Sequence, residues 1–197
     1  MSMFVLSFFI GLKPSPPCLD TLVERQARLL RYGRNYLYLT PPDHVHLTLL
    51  PLGFVHRSRI DHIADAMERG TRACEPFELQ VGPLDHLNPK VVWAGVQNGV
   101  EELKKLREAL QRAVDPMGCV SVPSQFTPHW SLARLSSAPD EGTRSHINRF
   151  LAEATLPTPE PFTVQRVYLI QSTRGIRSAR HDQLAGVPIG GAAREHC

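Results

Sequence analysis

Asp43-His44-Val45-His46-Leu47-Thr48-Leu49-Leu50 is the stretch that decides the fold class. His44, His46 and Thr48 fall on one parity, Val45, Leu47 and Leu49 on the other. A strand turns successive side chains to opposite faces, so this is a strand with one open and one buried face. Strands of that kind build antiparallel sheets, whereas parallel strands are covered on both faces and read as continuous apolar runs. His129-Trp130-Ser131-Leu132-Ala133, opened by Pro128, repeats the pattern.

Outward from these two segments, strands and helices interleave. Met3 to Ile10 is β-branched and aromatic and predicts a first strand, ended by Pro14, Pro16 and Pro17. Apolar residues at helical spacing predict helices over 20–32, 58–74, 101–114 and 143–154. Phe77 to Val81 and Val91 to Val96 predict strands parted by a Gly/Pro/Asn loop. Phe162 to Ile170 predicts another, and a loop with Arg174, Gly175, Arg177 and Arg180 leads to a short strand over Gln183 to Val187. The expected class is therefore α+β. Residues 1–190 are expected to form a single domain, with 191–197 as a frayed tail.

Composition narrows the function classes. The chain has 197 residues, 42% hydrophobic and 21% charged, which excludes a disordered, collagen-like or coiled-coil protein. Met3 to Leu12 is far shorter than the roughly 20 residues of a membrane span. No positive charge precedes that run and no cleavage site follows it, so it reads as a buried strand rather than a signal peptide. Cysteines at 18, 74, 119 and 197 form no C-x-x-C pair; free thiols and a cytoplasmic location are expected. Net charge is +3. Of the 22 cations only Lys13, Lys90, Lys104 and Lys105 are lysine, leaving 22 − 4 = 18 arginines. Arginine grips phosphate in a bidentate fork, although a general bias toward Arg explains the count equally well. No dinucleotide or P-loop glycine motif is present.

His46-Leu47-Thr48-Leu49 and His129-Trp130-Ser131-Leu132 share the form His, apolar, hydroxyl, apolar. Each puts an imidazole and a hydroxyl on one strand face and anchors the strand with the other two side chains. Chance alone gives roughly one H-x-[ST] in such a chain, and about 0.2 once both apolar positions are required. His56-Arg57-Ser58 is a third loose match; it lacks the apolar partners and sits at a helix start, where Ser58 reads as a cap. One histidine alone would be read as a half-buried sheet residue, but two in matched frames point to acid–base chemistry. An imidazole with an unperturbed pKa near 6.5 can be neutral in one copy and protonated in the other, and the hydroxyls can donate to phosphate oxygens. His44 and His46 share a strand parity that also suits a metal pair, but no local cluster offers a third ligand.

With these motifs the chain resembles the 2H phosphoesterase superfamily, and more narrowly the RNA 2′,3′-cyclic phosphodiesterases historically called 2′-5′ RNA ligases. Phe8-Phe9-Ile10-Gly11-Leu12, Pro51-Leu52-Gly53-Phe54, Val92-Trp93-Ala94-Gly95-Val96 and Phe126-Thr127-Pro128-His129-Trp130-Ser131-Leu132-Ala133-Arg134 resemble successive family blocks. His44 stands where the family usually has Asn, and Ser131 where Thr is commoner. Ser178-Ala179-Arg180-His181 stands in place of the usual Gly-Ala-Arg-Tyr.

The resemblance implies two pseudo-symmetric lobes, each an antiparallel sheet with helices on its outer face, enclosing a central groove. It implies metal-independent hydrolysis of RNA 2′,3′-cyclic phosphate ends to 2′-phosphates, with reversible 2′-5′ ligation. His46 would be general acid and His129 general base, with Thr48 and Ser131 on the phosphate and Arg134 as a substrate contact. No metal or cofactor is expected; the partner is RNA, tRNA-derived ends among the candidates, and the chain is expected as a cytoplasmic monomer without membrane contact. Strand parity alone places Arg134 opposite His129, so it needs a bulge or strand end to reach the groove. Phe9 could stack a base, but a core position is the preferred reading. The competing readings are a non-catalytic nucleotide-binding module on the same fold and a 2′-5′ oligonucleotide phosphodiesterase.

Overall fold

Ser15 caps a first helix that begins at Pro16, four residues before the expected Asp20: its Oγ accepts from the Cys18 N–H at 3.4 Å. Pro16 and Pro17 therefore open a helix as well as following a strand, because first-turn residues need no N–H. The computed structural model describes residues 5–33, 37–88, 90–118, 125–135, 140–153, 155–174, 179–191 and 195–196. Strands are β1 (Val5–Leu12), β2 (Leu37–Leu39), β3 (Leu47–Gly53), β4 (Phe77–Asn88), β5 (Val91–Asn98), β6 (His129–Leu135), β7 (Phe162–Val164), β8 (Arg166–Arg174), β9 (Ala179–Pro188) and β10 (Glu195–His196). Helices are α1 (Pro16–Gly33), α2 (Ile60–Thr71), α3 (Val100–Val114) and α4 (Glu141–Glu153).

All strand pairs among the described residues are antiparallel, in the order β10-β9-β8-β1-β3-β6-β5-β4-β7, with β2 also on β6. This is the α+β class read from the alternating segments. The sheet curls, and its helices pack in two groups. α2 and α3 pack together, α2 against β9 and α3 against β3; α1 packs on β2, β6 and α4. Leu103, Leu106, Leu110 and Val114 of α3 and Ile63, Ala64 and Met67 of α2 are buried, matching their helical spacing. Among the described residues the sheet ladders of the two halves join at one residue pair, Leu47 of β3 with Trp130 of β6, both fully buried in a core that runs through both halves.

Further elements differ from expectation. The strand expected over 162–170 is two strands, because the buried parity changes from Val164 to Val167 across exposed Gln165. β7 then pairs with β4 and β8 with β1, one in each half. β4 continues through the Gly82-Pro83 pair expected as a loop, its register slipping between Val81 and Leu84. A bulge asks no ladder hydrogen bond of Pro83. β9 begins at Ala179, so Arg180 lies on a strand; 175–178 lie outside the described residues. In the segment expected as a frayed tail, Glu195–His196 pairs with β9.

Candidate active site

Each motif histidine is aimed the same way by its own backbone. His46 Nδ1 lies 2.7 Å from the carbonyl of His44, and His129 Nδ1 lies 2.7 Å from that of Thr127. A carbonyl only accepts, so Nδ1 carries the hydrogen and Nε2 is left for chemistry. Both bonds reach back two residues, to a 3₁₀ turn over Pro42–His44 in one case and to the residue before Pro128 in the other. His44 therefore sits in a turn, not on the strand face expected to pair it with His46. Its Nε2 is 3.6 Å from Asp43 Oδ2.

The Leu47–Trp130 pair brings the motifs together. Continuing its antiparallel register by one residue each way sets His46 opposite Ser131 and Thr48 opposite His129. The four side chains thus alternate imidazole and hydroxyl on the face away from buried Leu47 and Trp130. All four residues are partly exposed there.

An aromatic ring from a flanking strand packs on each histidine. Phe9 of β1 stacks on His46 with centroids 4.5 Å apart and an interplanar angle of 28°. Trp93 of β5 meets His129 edge-on at 5.2 Å and 66°. Phe9 is thus a buried buttress, as the core reading held, and only 8% exposed. Phe9-Ile10-Gly11 and Trp93-Ala94-Gly95 repeat one aromatic-x-Gly pattern on the strands beside the two motifs, a signal that the sequence reading did not use for Trp93. Gly11 is required: a Cβ there would lie 2.7 Å from the Leu47 carbonyl oxygen.

Arg134 reaches the motif face through a bulge. Trp93 pairs with Ser131 and Val92 with Ala133, so Leu132 is the extra residue. Leu132 and Ala133 are both buried and Arg134 is exposed, which restores it to the parity of His129 and Ser131. The Leu132 carbonyl accepts from Gln26 Nε2 of α1 at 2.7 Å and from the Thr40 N–H at 2.9 Å. Gln26 is 2% exposed, and sequence periodicity, which reads apolar stripes, does not reveal it.

His181 of β9 is the residue that the sequence reading left unassigned. Its ring lies 5.0 Å from His46, edge-on, and 4.5 Å from His44. Burial pushes His46 down to about 4, with the charges of His44, His129 and Lys13 adding to the effect. Burial also pushes His181 down to about 4, helped by His46 and His44. Both rings are neutral at pH 7 when the groove is empty. Among the described residues, no group of three or more His, Cys, Asp or Glu is arranged to hold a metal ion. The loose match at 56–58 is a local cap with the roles reversed from the expected ones: the His56 ring, not Ser58, is the cap, accepting from the Ser58 N–H at the start of a 3₁₀ turn.

Paired imidazoles and hydroxyls on one face of a curled antiparallel sheet are the arrangement of a two-histidine phosphoesterase. The chain belongs to the 2′-5′ RNA ligase superfamily, whose family model matches residues 19–176. It is 32% identical over 128 residues to an RNA 2′,3′-cyclic phosphodiesterase of Thermotoga maritima, covering 60% of this chain and 67% of that one. An RNA 2′,3′-cyclic phosphodiesterase of Aquifex aeolicus is 26% identical over 137 residues, 67% of this chain and 71% of that one. In fold it is similar to TT0787 of Thermus thermophilus, with a TM-score of 0.75 at 19% identity over 95% of this chain and 100% of the other. LigT of E. coli, solved with 3′-AMP, gives 0.69 at 19% identity over 95% and 99%.

Proposed function

We propose that this protein hydrolyses RNA 2′,3′-cyclic phosphate ends to 2′-phosphates without a metal ion. The observation that carries the reading is the Leu47–Trp130 pair, which sets the two His-x-hydroxyl motifs face to face. A cyclic phosphodiester needs one group to deprotonate water and another to protonate the departing ribose oxygen. In this reading His129 Nε2 takes a proton from the water whose oxygen attacks phosphorus. The P–O3′ bond breaks, and His46 Nε2–H gives its proton to O3′. The 2′-phosphate leaves, and the pair exchanges protons with solvent to restore the starting state. Thr48 and Ser131 hydroxyls donate to the non-bridging oxygens, and Arg134 pairs with a neighbouring phosphate of the bound RNA. The buried His46 is hard to charge in the empty groove; the phosphate's negative charge favours its protonated form. A 5′-hydroxyl in place of water gives a 2′-5′ linkage by the same steps.

Both motifs come from one chain, which supports a monomer with residues 1–190 as the catalytic unit. Cys18 and Cys74 are free thiols, which fits a cytoplasmic location. No helix among the described residues is long and apolar enough to cross a membrane. tRNA-derived ends are among the RNA substrates that fit this reading.

The test is incubation of a short RNA bearing a 2′,3′-cyclic phosphate in EDTA, with products followed by phosphorus NMR. A 2′-phosphomonoester should accumulate. No turnover in EDTA, restored by zinc or manganese, overturns the metal-free reading.

A further inference from the structure

Among the described residues, Tyr38 at 70% exposed and Phe54 at 74% are the large apolar side chains left in water. Phe54 follows the far end of β3 from His46. Tyr38 lies on the side of the motifs. It sits on β2 directly opposite Arg134 of β6, while its neighbour Leu37 is buried. Residues directly opposed across an antiparallel pair share a face. The bulge at Leu132 returns Arg134 to the face of His129 and Ser131, and Tyr38 goes with it. Arg134 is three residues beyond Ser131, but the bulge leaves it two ladder steps away, opposite Val91 where Ser131 is opposite Trp93, about 7 Å along the strand. That is past a phosphate held at the motif hydroxyls, and toward the next nucleotide of a bound chain.

A solvent-exposed ring beside a guanidinium matches one nucleotide: the ring takes the π-face of a base and the cation takes a phosphate. We propose that Tyr38 is the stacking platform for the base of the nucleotide that precedes the cyclic-phosphate end, with Arg134 on the phosphate linking the two. The proposal rests on the cyclic phosphodiesterase reading. It makes the preferred substrate an oligonucleotide end rather than a mononucleotide. The preference tolerates base identity, because every base has a π-face.

The test compares kcat/KM for adenosine 2′,3′-cyclic phosphate and for a trinucleotide ending in a 2′,3′-cyclic phosphate. Wild type should prefer the trinucleotide. Tyr38→Ala should lower the trinucleotide-to-mononucleotide ratio about tenfold, mainly through KM, and Tyr38→Phe should hold the ratio within about twofold. A ratio unchanged by Tyr38→Ala, or lost equally in Tyr38→Phe, overturns the stacking proposal. A wild-type protein inert toward both substrates overturns the phosphodiesterase reading instead.

Discussion

His46 and His181 are held in the fold as neutral rings, near 4, by burial and by one another's company. An unfolded histidine protonates near 6.5, so between those values the unfolded chain binds more protons. Their contribution to stability is complete above about pH 6.5 and is lost as pH falls toward 4. The urea midpoint should therefore drop between pH 7 and pH 5, and His181→Phe should flatten that slope. A midpoint indifferent to pH over this range would contradict the burial argument. The same residue scale separates acid from base. His46→Ala and His129→Ala should each cost about 10² to 10⁴ in turnover, with Thr48→Ala and Ser131→Ala costing less. A 4-nitrophenyl phosphodiester leaves without needing a proton, so loss of the acid matters little for it. His46→Ala should recover most of its deficit on that substrate and His129→Ala should not. The opposite pattern exchanges the two roles.

The element that sets Arg134 is a bulge, and Gln26 of α1 holds the bulged carbonyl. Gln26→Leu removes one of the two donors on that carbonyl and leaves the Thr40 N–H, which costs about 0.5–1.5 kcal/mol. It should lower the thermal midpoint and raise KM more than it lowers kcat, as Arg134→Ala should do directly. An unchanged KM would separate the bulge from substrate binding. Gly11→Ala pushes a methyl against the Leu47 carbonyl and should part β1 from β3 beside the first motif, with a loss of about 1–3 kcal/mol. At this scale the sequence was legible where a period is regular. The α3 stripe and the polarity of the two motif segments are direct consequences of side-chain spacing. Where the chain bends, it was not. The passage of β4 through Gly82-Pro83, the break at Gln165 and the return of Arg134 to the motif face depend on long-range pairing, which a local period does not contain. The need for a bulge was readable from parity; its position at Leu132 was not.

Across the described residues, the ladders of the two halves of the sheet join at one buried pair, and the candidate site sits beside that joint. The four motif residues were legible because two matched tetrapeptides are improbable by chance. His181 was not, because β8 and β1 separate β9 from β3 in the sheet, and its contact with His44 and His46 comes from long-range packing of β9 beside the 3₁₀ turn. The central claim is that His46 and His129 share one proton and divide acid and base between them. The initial rate on a 2′,3′-cyclic-phosphate RNA, measured from about pH 4 to 9 with chemistry rate-limiting, tests it most directly, since that range spans histidine's titration. One proton on the pair is the active state, and the apparent pKa values belong to the pair. Because burial holds His46 near 4, kcat/KM should fall on the acid side toward that pH, as the second proton binds. It should fall again on the alkaline side as the last proton leaves. In kcat the acid limb should move upward, because bound phosphate favours the charged ring. A bell of this form supports the account; a rate that rises to an alkaline plateau, as when a metal-bound water ionises near pH 7, contradicts it.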